Sequence, residues 1–388
     1  MVLLLVIIYL AFSSLGLPRA MLGSAWPSMY EGLGASIESV GIISMIISGG
    51  TVVSSLLSAR AVRRLGTGAV TLVGAAMMAI SLVGFSFTNS FIMLCLLSVP
   101  LGLGIGFVDA SLNSFVALHY KAKHMNWLHC FWGIGASAGP IIMSYNLAQF
   151  QSWNTGYMMI SVLQFTLMVM LLLSLPFWKK AQRSTGKIEG INQQVLPFRQ
   201  LIGLPGAKQT LIAFFCYCSI EATVGLWGSS YLVIVRGVSA ATAASWVSLY
   251  FIGITSGRLL SGFLAIKLGN RQIIQLGQLL IGTGIVILML PVNGNYLLAG
   301  LFLIGLGCAP IYPSLLHETP GNFGSQYSQA MIGVQMAFAY AGTTFIPLIF
   351  GVIGARTSYA IFPLFNGLLL VLMIFMVIML YKKTRPRE

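Results

Sequence analysis

Acidic side chains are scarce in this chain: seven Asp and Glu stand among 388 residues, beside four His, and only 7% of residues are charged. The few carboxylates and imidazoles are dispersed, so they form no catalytic constellation, and no paired metal ligands occur. An enzyme is not expected, nor a metal or cofactor. Cysteine is sparse as well. Cys95, Cys130, Cys216, Cys218 and Cys308 all fall inside apolar runs and imply no disulfide framework. Cys216 and Cys218, two apart on a helix, point to different faces and make a poor metal site. No basic segment precedes the apolar start MVLLLVIIYLAF, which is therefore expected to be a first membrane span rather than a signal peptide. The stretch GLGIG at 102–106 follows no strand and lies in an apolar run, which excludes a nucleotide loop.

What is abundant is hydrocarbon. Hydrophobic residues make up 57% of the chain and the mean hydropathy is +0.90, a composition that belongs to a polytopic membrane protein. The formal charge of +14 would suggest nucleic acid in a soluble protein. Here the Lys and Arg collect in alternate connections, the pattern of cytoplasmic loops, so no nucleic-acid partner is expected. The apolar runs predict twelve helices, roughly 2 to 30, 38 to 58, 68 to 88, 91 to 119, 125 to 149, 155 to 177, 208 to 235, 240 to 265, 271 to 291, 295 to 316, 328 to 353 and 357 to 381. An even number puts both termini on the basic, cytoplasmic side of the cell membrane. His119, His124 and His317 fall at helix ends, where they are expected to be solvated. The longest connection, 178–207, is polar, basic and broken by Pro197 and Pro205, and it divides an N-terminal six-helix bundle (1–177) from a C-terminal one (208–388).

The two halves repeat. SSLLSARAVRRLGTGAVTLVG (54–74) aligns with GRLLSGFLAIKLGNRQIIQLG (257–277) at an offset of 203 residues. The same offset carries Gly102-Leu103-Gly104 onto Gly305-Leu306-Gly307 and Gly139 onto Gly342. One spacing in three separated places implies duplication, and six helices repeated in parallel is an architecture of secondary transporters.

Three ionisable residues sit inside apolar runs. Asp109 lies about 18 Å along its helix from Lys121 and about 27 Å from Phe91. Arg19 lies about 18 Å from Glu31, and Glu221 about 20 Å from Lys208. A charge at that depth costs roughly 2.5 to 3.5 kcal/mol on insertion scales, so each should face a protein interior, a partner or water.

These residues support a family resemblance. Arg60, Arg63, Arg64 and Gly66, in the loop between helices two and three, resemble the basic loop motif of the major facilitator superfamily, and Gly257, Arg258, Gly262, Lys267 and Gly269 resemble its second copy. Asp109-Ala110, Asn113-Ser114-Phe115, Asn126-Trp127-Leu128 and Phe131 to Gly135 resemble the helix-four and helix-five pattern of the fucose:proton symporters. The resemblance implies an all-α membrane fold of two pseudo-symmetric six-helix bundles, working by alternating access as a monomer around a mid-membrane site. Two positions depart from it. Ala59 stands where the loop motif carries an aspartate, and Arg19 where the first helix carries an acid, leaving one of the two implied carboxylates.

In the implied fold helices one and four line one cavity, so Arg19 is expected to pair with Asp109, with Glu221 as a further coupling group. Tyr217, four residues before Glu221, shares its face as a hydrogen-bond donor. A sugar site needs neutral donors and acceptors plus an aromatic face. The candidates are Asn113, Asn126, His129, Trp132, Gln164 and Gln335, with Trp26 and Trp227 for stacking. The chain is therefore expected to carry a small polar solute, a monosaccharide first, by cation symport, with the proton as coupling ion and sodium as the other candidate. Its partners are then that solute and membrane lipid. Two alternatives stay open: efflux of amphipathic compounds by proton antiport, suggested by 19 Met and 23 Phe, and a transporter-like receptor without turnover.

Overall fold

A computed structural model of the chain describes residues 2–120, 122–183, 198–264, 267–291 and 294–384. In a bilayer every backbone N–H and C=O must be satisfied within its own segment, which leaves helices as the simplest spanning element. The described residues contain no strand. Twelve long helices run α1 (Val2–Met29), α2 (Val40–Leu65), α3 (Thr67–Phe87), α4 (Phe91–His119), α5 (Ala122–Phe150), α6 (Trp153–Arg183), α7 (Ala207–Arg236), α8 (Ala240–Leu264), α9 (Asn270–Met289), α10 (Asn295–His317), α11 (Ser325–Arg356) and α12 (Phe362–Thr384). Eleven are long and apolar enough to cross a membrane. The other, α5, begins with the polar stretch KHMNWLH.

Two expected boundaries are corrected. Helix α2 continues seven residues beyond 58, so Arg60, Arg63 and Arg64 ride on its last turns and not in a loop. It stops at Gly66, whose φ of 84° no L side chain adopts without strain. Helix α6 likewise runs on through Lys179 and Lys180 to Arg183. On α2 the helix outlasts the apolar run because Arg60, Arg63 and Arg64 are exposed, and such long basic side chains carry their charge out to water. Of the expected linker, 184–197 lies outside the described residues, and a short helix, Phe198–Leu201, precedes α7.

The chain forms two compact units, Met1–Glu189 with Gly228–Ser248, and Gly190–Trp227 with Leu249–Glu388. Within the first, α1 packs along α5, α2 and α3 along α4, and α3 along α6. Small residues set these contacts, since helix association inside a membrane depends on close approach. A Cβ at Gly50 would meet Leu103 N at 3.0 Å, and one at Gly74 would meet Gly104 O at 2.8 Å. The second unit repeats both, with Gly253 against Leu306 N at 2.9 Å and Gly277 against Gly307 O at 2.5 Å. Every residue in the second set lies 203 positions after its counterpart, so the duplication read in the sequence is realised as the same two helix crossings.

Candidate functional site

Nine residues at about 100° each bring Arg19 to the opposite side of α1 from Leu10. Leu3, Val6 and Leu10 form the outward apolar face of that helix, at 58%, 47% and 40% exposure. Arg19 is itself exposed although Pro18 and Ala20 are buried, and it lies on the side of α1 away from Leu10. Helix α4 packs against α1 and brings Asp109 into electrostatic reach of Arg19. The hydrogen bond to the carboxylate comes from Asn113, one turn on, whose Nδ2 donates to Asp109 Oδ1 and to its main-chain oxygen, each at 3.0 Å. Asn113 thus fixes one carboxylate oxygen and leaves Oδ2 for another partner.

The second unit holds a cluster of its own. Tyr217 Oη donates to Glu221 Oε2, the i, i+4 pair expected on α7. From α8, Tyr250 Oη donates to the Glu221 main-chain oxygen at 3.0 Å. Cys308 on α10 touches the Tyr250 hydroxyl, and Arg258 acts electrostatically on Tyr217, Tyr250 and Cys308. Tyr217, Tyr250 and Cys308 are fully buried. Sequence reasoning missed Tyr250 and Cys308, and it assigned Arg258 to a loop motif although Arg258 is half-buried inside α8. The available signal was the i, i+8 spacing of Tyr250 and Arg258, which puts them roughly on one face.

The remaining candidates separate by exposure. His129 is exposed on α5, edge-on to Phe12 with ring centres 5.4 Å apart, and Trp132 is half-buried on the same helix. The Asn126 side chain lies outside the described residues. Four others face protein. Trp26 is fully buried and donates Nε1 to Ile37 O at 2.6 Å. Trp227 is fully buried, donates to Pro347 O at 2.8 Å and stacks on Tyr359. Gln164, 2% exposed, reaches Ala75 O on α3 at 3.5 Å. Gln335 exchanges hydrogen bonds with Thr319 at 3.0 and 3.2 Å. Arg60, Arg63, Arg64 and Lys267 are exposed at helix ends. Two of the histidines expected to be solvated are half-buried on protein partners, His119 Nδ1 with Phe115 O at 2.9 Å and His124 Nδ1 with Tyr9 Oη at 3.0 Å, whereas His317 is exposed, its Nδ1 3.0 Å from Asn270 Nδ2. The Tyr9 partner of His124 comes from α1, which the geometry of α5 alone does not reveal.

No group of three or more potential metal ligands occurs among the described residues. The family model of the Major Facilitator Superfamily matches residues 8–247 and again 210–388. The chain belongs to the major facilitator superfamily. As a facilitator it is a multi-pass membrane transporter of small molecules and not an enzyme. It is similar to an uncharacterized MFS-type transporter of Yersinia pestis, 22% identical over 354 residues, covering 91% of this chain and 89% of the relative. It is also similar to the glucose/mannose transporter GlcP of Bacillus subtilis, 24% identical over 324 residues, covering 79% and 77%. Among solved structures it resembles a peptide transporter POT variant in complex with alafosfalin, with a TM-score of 0.74 at 15% identity, covering 98% of this facilitator and 95% of that chain. That likeness establishes the fold alone.

Proposed function

We propose that this facilitator imports a monosaccharide or a similar small polar solute by proton symport, across the cell membrane, with both termini cytoplasmic and the repeats 1–177 and 208–388 alternating access. The observation that carries the reading is the Arg19, Asp109 and Asn113 group on α1 and α4. Such a group is expensive in hydrocarbon, and an intramembrane charge by default marks a solute or ion pathway. The relationship to a glucose/mannose transporter supports the choice of solute. In this mechanism Asn113 holds Asp109 Oδ1 while Oδ2 exchanges between the Arg19 guanidinium and a proton. A solute hydroxyl then bonds whichever of Arg19 and Asp109 has been released. His129 and Trp132 supply a neutral polar edge and an aromatic face from α5. Glu221, held by Tyr217, is the second exchangeable carboxylate, with Arg258 as its counter-charge.

Reconstituted into liposomes, the protein is expected to exchange labelled glucose or mannose in counterflow and to accumulate it faster when the outside is acidified. The Asp109→Asn substitution should keep counterflow but remove the response to pH, lowering uphill uptake by roughly tenfold or more. Uptake by the variant with an unchanged pH profile would overturn proton coupling through Asp109. Absence of counterflow with every sugar in a hexose and pentose panel would overturn the solute class.

A further inference from the structure

Unit 2 carries a groove whose lining includes none of the candidate solute-site residues. It lies between α9 and α12, encloses about 670 Å³ and is lined from Arg271 and Tyr381 at one end to Ile287 and Leu370 at the other. The two helices run antiparallel there, and the seventeen residues from Arg271 to Ile287 span about 24 Å, more than the roughly 15 Å hydrocarbon depth of one leaflet. Its rim residues Leu279, Val286 and Ile378 are 65%, 54% and 46% exposed, the signature of a face turned to hydrocarbon. Gly282 keeps the floor open, because a Cβ there would already touch Leu370 Cδ2 at 3.4 Å.

Three zones follow one another along the groove. At its mouth the exposed Arg271 sits over the Tyr381 ring, its guanidinium carbon 5.1 Å from the ring centre, a cation with five N–H donors. Against the negative charge of Glu318, whose two oxygens accept from Tyr381 Oη at 3.0 Å, stand Arg271 and the neighbouring Lys382 and Lys383. About two turns further in, Gln278 lines the groove while only 5% exposed, and its Nε2 donor has no hydrogen-bond partner. An unsatisfied buried amide costs about 1 to 3 kcal/mol unless something outside the chain accepts from it. Beyond Gln278 the lining is mainly apolar.

We propose that this groove binds one anionic glycerophospholipid, with its phosphate on Arg271, an ester carbonyl accepting from Gln278 Nε2, and an acyl chain along Leu279, Gly282 and Ile374. A cation, then an amide donor, then hydrocarbon is the order of complementary groups such a lipid presents. The site is independent of which solute is carried.

Native mass spectrometry of the full chain, delipidated and titrated with phosphatidylglycerol or phosphatidylcholine, tests the assignment. The expected result is one saturable phosphatidylglycerol adduct, with phosphatidylcholine bound roughly tenfold or more weakly. Arg271→Gln should erase that preference, Gln278→Leu should weaken both lipids alike, and Gly282→Phe should abolish the adduct while leaving the melting temperature and solute counterflow near those of the unmodified protein. Equal adducts for both lipids in all four proteins would mean unspecific annular lipid and would overturn the proposal. So would a mass showing a second copy of the chain displaced by Gly282→Phe.

Discussion

A buried side chain declares its role through its partners, and Trp227 is the clearest case. Its indole nitrogen is satisfied by Pro347 O and its faces by Phe350 and Tyr359, so no surface remains for a solute. Trp227→Phe is therefore expected to lower stability by about 1 kcal/mol, read as a drop in melting temperature, with solute affinity unchanged. A matched expectation holds for Gln164→Leu, which should leave half-saturation for uptake where it was. Tyr217→Phe is different: Glu221 loses the phenol that holds it, and uphill solute uptake should fall severalfold while the melting temperature is retained, measured by uptake beside thermal unfolding. From sequence, Gln164 and Gln335 were indistinguishable from His129 and Trp132, since each is a polar or aromatic group inside an apolar run, and Trp26 and Trp227, nearer helix ends, fitted an interfacial anchor as well as a stacking face. Residue type and depth are sequence properties. Which way a helix face turns is set by its neighbours, and only that separates a satisfied amide from one open to solute.

Among elements, close approach governs. A Cβ at Gly135 would collide with the Ser13 main-chain oxygen of α1, and one at Gly305 with the Tyr250 main-chain oxygen of α8. Backbone cannot yield as a flexible side chain can, so Gly135→Val and Gly305→Val should each remove most folded protein, scored as the monodisperse fraction in size-exclusion chromatography. Gly333→Ala is the control, because nothing lies within 4 Å of a Cβ there, and it should express normally. The existence and order of the helices were legible because a span needs a long apolar run, and the sequence supplies one for eleven of the twelve. Their ends were less legible. The last turns of α2 and α6 are basic, and periodicity alone does not tell a helix that continues into water from a loop that begins there.

For the molecule as a whole, the basic ends of α2 and α12 are expected on one side of the membrane, and the connection between α1 and α2 on the other. Single cysteines introduced at Arg63 and Lys383 should react with an impermeant maleimide only from the cytoplasm, and one at Glu31 only from outside; a shared side for all three would overturn the topology. Composition, charge asymmetry and the 203-residue repeat determined by themselves that this is a duplicated, helical membrane protein, because hydropathy and duplication are written residue by residue. The tertiary structure decided which charges meet. It gathered Tyr250 and Arg258 from α8 and Cys308 from α10 around the Glu221 turn of α7, and gave Asp109 an oxygen fixed by Asn113. It also opened a groove between α9 and α12. Those outcomes depend on helix rotation and crossing, which arise from packing between distant segments, and no local pattern encodes them.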